Sequence, residues 1–262
     1  MQNIQILDLK QLILILECIK RYVAGGKIVI TSSGLKILTK NQISRIRLES
    51  DCCVVDGEAT LTFKEFDKLL ALLVLISKRQ KTNAISFKYD DKKRKIEFTS
   101  SDICSKLVCV KEEIIEQFID TEIKNVLVPS SIFNIRFENI SDVIDNSSVI
   151  IDDQAQKFKL FVNGEQNKTV YIENVSENNT LSNNLKLNFG ILLNETCFNQ
   201  NIIIDICRLK NLDLLSKFTK AESLQCSIIN ETILQFSANL NYISKNENTK
   251  LTMLMSSLKN ET

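Results

Sequence analysis

Residues 63–80, FKEFDKLLALLVLISKRQ, place apolar side chains at Phe66, Leu69, Leu70, Leu73 and Ile76, the spacing of one helical face, with Lys64, Lys68 and Lys78 on another. Charges at Lys64, Glu65, Asp67 and Lys68 confine the uninterrupted apolar stretch to residues 69–76. That is too short to span a bilayer, so the segment predicts an amphipathic helix of a soluble protein with no membrane partner. Before it, GEATLTF (57–63) predicts a strand. After it, AISFKYD (84–90), RKIEFTSS (94–101) and SKLVCV (105–110) alternate or are β-branched, and they predict three more.

The order strand, helix, three strands recurs along the chain. NIQILD leads into LKQLILILECIKRYV, then KIVITS, GLKILTK and ISRIRLES. NVLV leads into a helix over SSIFNIRFENISDVI (130–144), then SSVIID (147–152), KFKLFVN and KTVYIEN. NIIIDIC leads into RLKNLDLLSKFTKAE, then LQCSIIN, ILQFSANLN and KLTMLMSSL. Pro129, the only proline, falls at the expected start of the third helix, where its missing N–H costs least. Four βαβββ units, with helices starting near residues 8, 63, 130 and 207, predict an internally duplicated α+β protein. Two stretches, KEEIIEQFIDTEIK (111–124) and NNLKLNFGILLNE (183–195), stand outside the repeat.

Composition narrows the chemistry. The chain has 262 residues, enough for two domains, with 44% hydrophobic and 25% charged residues and a formal net charge of +1. It contains no histidine, which removes the commonest general base and the Ser-His and Cys-His nucleophile pairs. None of its six glycines builds GxGxxG or GxxxxGK[ST]. The eight cysteines show no CxxC spacing and read as reduced, mostly buried thiols, Cys18 and Cys207 included. The first residues, MQNIQILDLKQLILIL, lack a basic n-region and are interrupted by Asp8, Lys10 and Gln11, so no signal peptide is expected. These features point away from an enzyme and imply no metal and no cofactor. A competing enzymatic reading rests on the acid pairs Asp90–Asp91 and Asp152–Asp153, which could hold Mg²⁺ but fall at expected strand turns.

Distribution of charge matters more than its sum. Each amphipathic helix lays one stripe on a sheet and turns the other face outward. The second helix turns out Lys64, Lys68 and Lys78, with Arg79 at its end; the fourth turns out Lys210, Lys217 and Lys220; the first offers Lys10, Lys20 and Arg21. The third is the exception, setting Arg136 against Glu138, Asp142 and Asp145. Three basic faces in a fourfold repeat predict one surface that attracts phosphates without reading bases. No aromatic residues interleave with these lysines, so duplex backbone is the expected partner rather than stacked single strands. The run DDKKRK (90–95) reads both as a polar hairpin turn and, at KKRK, as a nuclear localisation signal.

Two domains of paired βαβββ units with helices on one side of antiparallel sheets resemble the DNA sliding-clamp superfamily over essentially the whole chain. TSSGLKI (31–37) resembles the SSG-containing strand turn of proliferating cell nuclear antigen (PCNA). VPSSIF (128–133) resembles the PSxxF opening of that family's third helix, and FTKA (218–221) the end of its fourth. LTKNQISRIRLES stands where PCNA has Met-Asp and Ser-His, the connector lacks Gly-Ile-Pro-Glu, and MLMSSL replaces a C-terminal Ala-Pro-Lys. SKLVCVKEEIIEQFID and LNETCFNQ are similar to segments of the Rad-nine subunit of the heterotrimeric nine-one-one checkpoint clamp, while the length near 262 keeps a Rad-one-like subunit open.

The resemblance implies an N-terminal clamp domain over 1–110, an interdomain connector over 111–124 and a C-terminal clamp domain over 125–262. It implies a nuclear ring around double-stranded DNA, assembled with two other clamp subunits or as a homotrimer and loaded by an ATP-dependent clamp loader. Checkpoint and repair proteins would dock near the connector. The alternative is a PCNA-type processivity factor for replication. By the same resemblance the DNA-facing residues are Lys10, Lys20, Arg21, Lys64, Lys68, Lys78, Arg79, Lys210, Lys217 and Lys220.

Overall fold

The structure, a computed structural model, describes residues 1–41, 44–80, 83–99, 103–114, 131–150, 157–163, 169–175, 186–193, 200–229, 232–240 and 249–256. The chain forms two compact units, Met1–Asp120 with Asn239–Leu251, and Thr121–Ala238 with Thr252–Thr262.

The first unit runs β1 (Gln2–Ile6), α1 (Leu9–Lys20), β2 (Gly26–Thr31), β3 (Gly34–Lys40), β4 (Ser44–Ser50), a short β5 (Cys53–Val55), β6 (Glu58–Phe63), α2 (Asp67–Arg79), β7 (Ile85–Asp90), β8 (Lys95–Thr99) and β9 (Cys104–Val108). Its strands form one sheet in the order β5-β1-β7-β8-β9 and a second run in the order β4-β3-β2-β6, antiparallel throughout. The period of two decides which side chains turn inward: in β7, Ile85, Phe87 and Tyr89 are buried while Ser86 and Lys88 are exposed. Leu12 of α1, Leu69 and Leu73 of α2, and Ile4, Ile28 and Phe87 from both sheets line one cavity of about 30 Å³, so both helices cover a shared core.

Local chemistry fixes the ends of these elements. The Asp8 carboxylate caps α1 by accepting from the Gln11 backbone N–H at 2.9 Å, and it also accepts from the Asn83 side-chain amide at 2.9 Å. The Asn83 amide oxygen accepts from the Lys10 N–H at 3.0 Å, which ties the start of α1 to the segment after α2. Gln11 itself is buried at 2% exposure and donates to the Leu240 carbonyl at 3.2 Å and to Thr249 Oγ1 at 3.0 Å. Thr249 Oγ1 lies 2.9 Å from Ser50 Oγ, and Ser50 Oγ accepts from the Cys52 N–H at 3.3 Å. Leu240 and Thr249 thereby complete the polar interior of a unit made mostly by the first 120 residues.

Gly34 opens β3 with φ +138°, and a Cβ there would approach the Ser50 carbonyl oxygen to 2.5 Å. Gly57 also has positive φ, +87°, but its nearest neighbour would be 3.9 Å away. Gly34→Ala, which adds a backbone clash to the strain, is therefore expected to cost about 2–3 kcal/mol, against about 1–2 kcal/mol for Gly57→Ala, where the strain acts alone. Urea midpoints of the two variants check the order; equal midpoints would refute the steric account.

The second unit contains β10 (Ser131–Arg136), α3 (Phe137–Ile150), β11 (Lys157–Asn163), β12 (Thr169–Val175), β13 (Lys186–Leu192), β14 (Gln200–Asp205), α4 (Ile206–Leu215) with a 3₁₀ turn at Ser216–Phe218, β15 (Ser223–Ile229), all but the last residue of β16 (Ile233–Asn239) and all but the first two residues of β17 (Lys250–Ser256). Its strand order is β14-β11-β12-β13-β10-β15-β16-β17. Here the structure corrects the sequence reading. Residues 131–136, expected as the first turns of the third helix, form strand β10, and residues 147–150, expected as strand, end helix α3. The PSxxF-like Phe133 thus lies in a strand, and Arg136 closes that strand instead of lying on a helix face. The cause is tertiary pairing: Phe133 and Ile135 are fully buried at alternate positions of a strand paired with β13 on one side and β15 on the other. The stretch 183–195, set aside from the repeat, supplies β13 as the last strand of the third βαβββ unit. Pro129 lies outside the described residues.

Candidate nucleic-acid interface

The two helices of the first unit pack side by side, and Lys20 at the end of α1 forms an ion pair with Asp67 at the start of α2. On α2, Leu69, Leu72, Leu73 and Ile76 are buried, while Lys64 just before it and Lys68, Ala71, Leu75 and Lys78 along it are exposed. Within the helix, Lys68, Ala71, Leu75 and Lys78 follow one another at three- and four-residue steps, so they form one outward face. Lys68 and Lys78 stand about 15 Å apart along the axis at 1.5 Å per residue. Arg79 is exposed at the end of the helix. Helix α1 is buried over most of its circumference; it turns out Lys10, Glu17 and Lys20, followed by an exposed Arg21. The charge of this face is therefore tempered by Glu17 and by Asp67, and the Asp67 pairing was not visible in sequence because it joins two helices 47 positions apart.

In the second unit, α4 buries Leu209, Leu212 and Leu215 and exposes Cys207 and Lys210; Lys217 is exposed in the 3₁₀ turn and Lys220 just beyond it. Helix α3 buries Phe137, Ile140 and Val143 and exposes Glu138, Asp142 and Asp145. The two helices are joined by the Ser141 hydroxyl, which donates to Asp213 Oδ1 at 2.9 Å. All ten basic residues singled out in the sequence are exposed. Arg208, also a cation on the fourth helix, is not among them: it is 6% exposed, paired with Asp205, and donates through Nε to the Ser256 carbonyl at 3.1 Å. Asp205 also caps α4, accepting from the Arg208 N–H at 2.8 Å.

The other candidates resolve locally. Asp90 accepts from the Lys93 N–H at 3.1 Å and Asp91 from the Tyr89 hydroxyl at 3.3 Å, both within the turn that joins β7 to β8 and carries Lys92, Lys93 and Arg94. Asp152 and Asp153 lie outside the described residues, among which no group of three or more His, Cys, Asp or Glu side chains could hold a metal. Of the expected connector, residues 111–114 are described, and Glu112 pairs with Lys27. No helix among the described residues is long and apolar enough to cross a membrane.

Seven of the eight cysteines fall within the described residues. Cys18, Cys52, Cys53, Cys109 and Cys226 are buried, whereas Cys104 and Cys207 are exposed, which corrects the expectation for Cys207. That residue is the second of α4, on the outward side of a helix too short in apolar positions to cover it. Burial pushes the Cys18 thiol up to about 12 and the Cys109 thiol up to about 11, because a thiolate cannot be solvated there. Brief alkylation with iodoacetamide at pH 8, mapped by mass spectrometry, is expected to modify Cys104 and Cys207 in the folded protein and Cys18 and Cys226 only after denaturation. Prompt modification of Cys18 in the folded protein would contradict the packing described.

The class defined by this architecture is the α+β DNA clamp fold: repeated βαβββ units with helices laid on antiparallel sheets. Within it, the chain is similar to the crystal structure of the proliferating cellular nuclear antigen from Entamoeba histolytica, with a TM-score of 0.67 at 11% identity over 98% of this chain and 99% of that one. No protein-family model and no curated protein matches the sequence.

Proposed function

We propose that this chain is a subunit of a ring-shaped sliding clamp that encircles duplex DNA in the nucleus and recruits DNA damage checkpoint and repair factors. The observation that carries the reading is the pairing of a full-length clamp fold with helices whose non-core faces present Lys68, Lys78, Lys210 and Lys217 to solvent. A clamp holds DNA by topology, so its lining needs positive charge without base readout, and lysines on helix faces supply that. An ATP-dependent loader would open and close the ring, and clients would dock near the connector.

Ring closure needs edges that accept another chain. Among the described strands, β9 ends its sheet and pairs only with β8, and Cys104, Lys106 and Val108 are exposed along it. An open strand edge is a ready template for pairing with a neighbouring subunit. The divergence of the connector and of MLMSSL from PCNA favours two different partner subunits, as in a checkpoint clamp. The similarity to a PCNA structure favours the second reading, a homotrimeric processivity factor for DNA polymerase.

Light scattering on the purified chain after size exclusion separates the two. A lone chain of 29.9 kDa is expected under the heterotrimer reading, and three times that mass under the homotrimer reading. Retention of the assembled complex on circular duplex DNA, with loss on linearisation, tests the encircling function in both.

A further inference from the structure

The outward faces of the helix pair in the second unit carry opposite charges. Glu138, Asp142 and Asp145 follow one another at four- and three-residue steps on α3, all exposed; Lys210 and Lys217 occupy the corresponding side of α4 and its 3₁₀ extension, also exposed. Ser141 and Asp213 each sit three positions beyond the first charge of its row, and their hydrogen bond at 2.9 Å joins the flanks of the two helices. With Ile140 and Val143 of α3 and Leu209 and Leu212 of α4 buried beneath, both charged rows look out from the same side of the pair.

We propose that Glu138 and Asp142 repel the phosphate backbone, so that in this unit the duplex is held by α4 through Lys210 and Lys217 and kept off α3. The inference rests on the clamp reading and refines it: the DNA-facing surface is a basic strip bounded by an acidic one. Like charges facing a polyanion weaken binding most at low ionic strength, where screening is least. Each lysine that neutralises a phosphate adds its share to the salt dependence of binding, and that share disappears with the cation. The carboxylates act in the opposite sense, and neutralising them should strengthen binding.

The test uses the full chain and a fluorescent 30-base-pair duplex, titrated by anisotropy across a salt series, with thermal unfolding as a check of folding. Glu138→Gln with Asp142→Asn is expected to tighten binding by about three- to tenfold at low salt, the gain fading as the screening length falls below about 8 Å. Lys210→Gln with Lys217→Gln is expected to weaken it. Unchanged binding in the carboxylate variant alongside weakening in the lysine variant overturns the repulsion and leaves the clamp reading standing. Absence of duplex binding by the unaltered chain at every salt concentration overturns the repulsion, while the clamp reading is judged separately by retention of the assembled ring on circular DNA.

Discussion

Under the proposed clamp function, replacing Lys68, Lys78, Lys210 and Lys217 together by glutamine is expected to flatten the dependence of duplex binding on salt by about 3.6 in log–log slope, at about 0.9 for each phosphate no longer neutralised. If the contribution of these lysines vanishes at 1 M salt, this amounts to roughly four-thousandfold weaker binding near 0.1 M. The four positions are chosen by their geometry. Lys68 and Lys78 lie on the exposed face of α2, and Lys210 and Lys217 occupy the outward row of α4 and its extension. Lys20 is left out because Asp67 already neutralises it. Surface substitutions of this kind move stability by about 0.5 kcal/mol or less each, so the unfolding midpoint should hold while binding falls. Two duplexes of unrelated sequence should lose affinity equally, since backbone contacts carry no sequence information. A variant that keeps the full salt slope would remove these helix faces from the proposed DNA-facing surface.

Arg208→Ala is expected to destabilise the second unit by about 3 kcal/mol, the order found when one partner of a buried ion pair is deleted. Its side chain is 7% exposed and that of Asp205 22%, so water reaches the carboxylate only partly once the guanidinium has gone. The deletion also frees the Ser256 carbonyl at the end of β17. The Asp205 cap on the Arg208 backbone N–H remains available, which limits the loss at the start of α4. Arg208→Lys should recover part of the stability through its charge, but not the planar fork that joins Asp205 and Ser256 simultaneously. Urea unfolding followed in the three proteins gives the order native, lysine, alanine. A native-like midpoint for the alanine variant would mean that desolvation cancels the pair.

The sequence disclosed the repeat because its period-two strands and period-3.6 helices alternate with few ambiguities in the first half. Strand GLKILTK was legible to its end residues, since Gly34 marks the turn and the apolar Leu35, Ile37 and Leu38 are buried. The third unit was misread because SIFNIR offers apolar residues at spacings compatible with either element. Only pairing with strands some 55 and 90 positions later decides it. Basic residues on helix faces were visible as a pattern, but their freedom was not. Lys20 finds an acidic partner on another helix, and Arg208 turns inward to a carboxylate three positions earlier. The buried Gln11 carried no signal at all, because its partners at Leu240 and Thr249 come from more than 200 positions away.

That last tie has a consequence for biosynthesis. Residues 1–120 leave the ribosome with the Gln11 amide destined for an interior whose acceptors do not yet exist. Translation of the next 129 residues takes about 6 to 26 s at 5–20 residues per second, long compared with helix and hairpin formation. The nascent amino-terminal half must wait in an unfinished state throughout that interval, so the protein matures from both ends of its message and not in the order in which it is read.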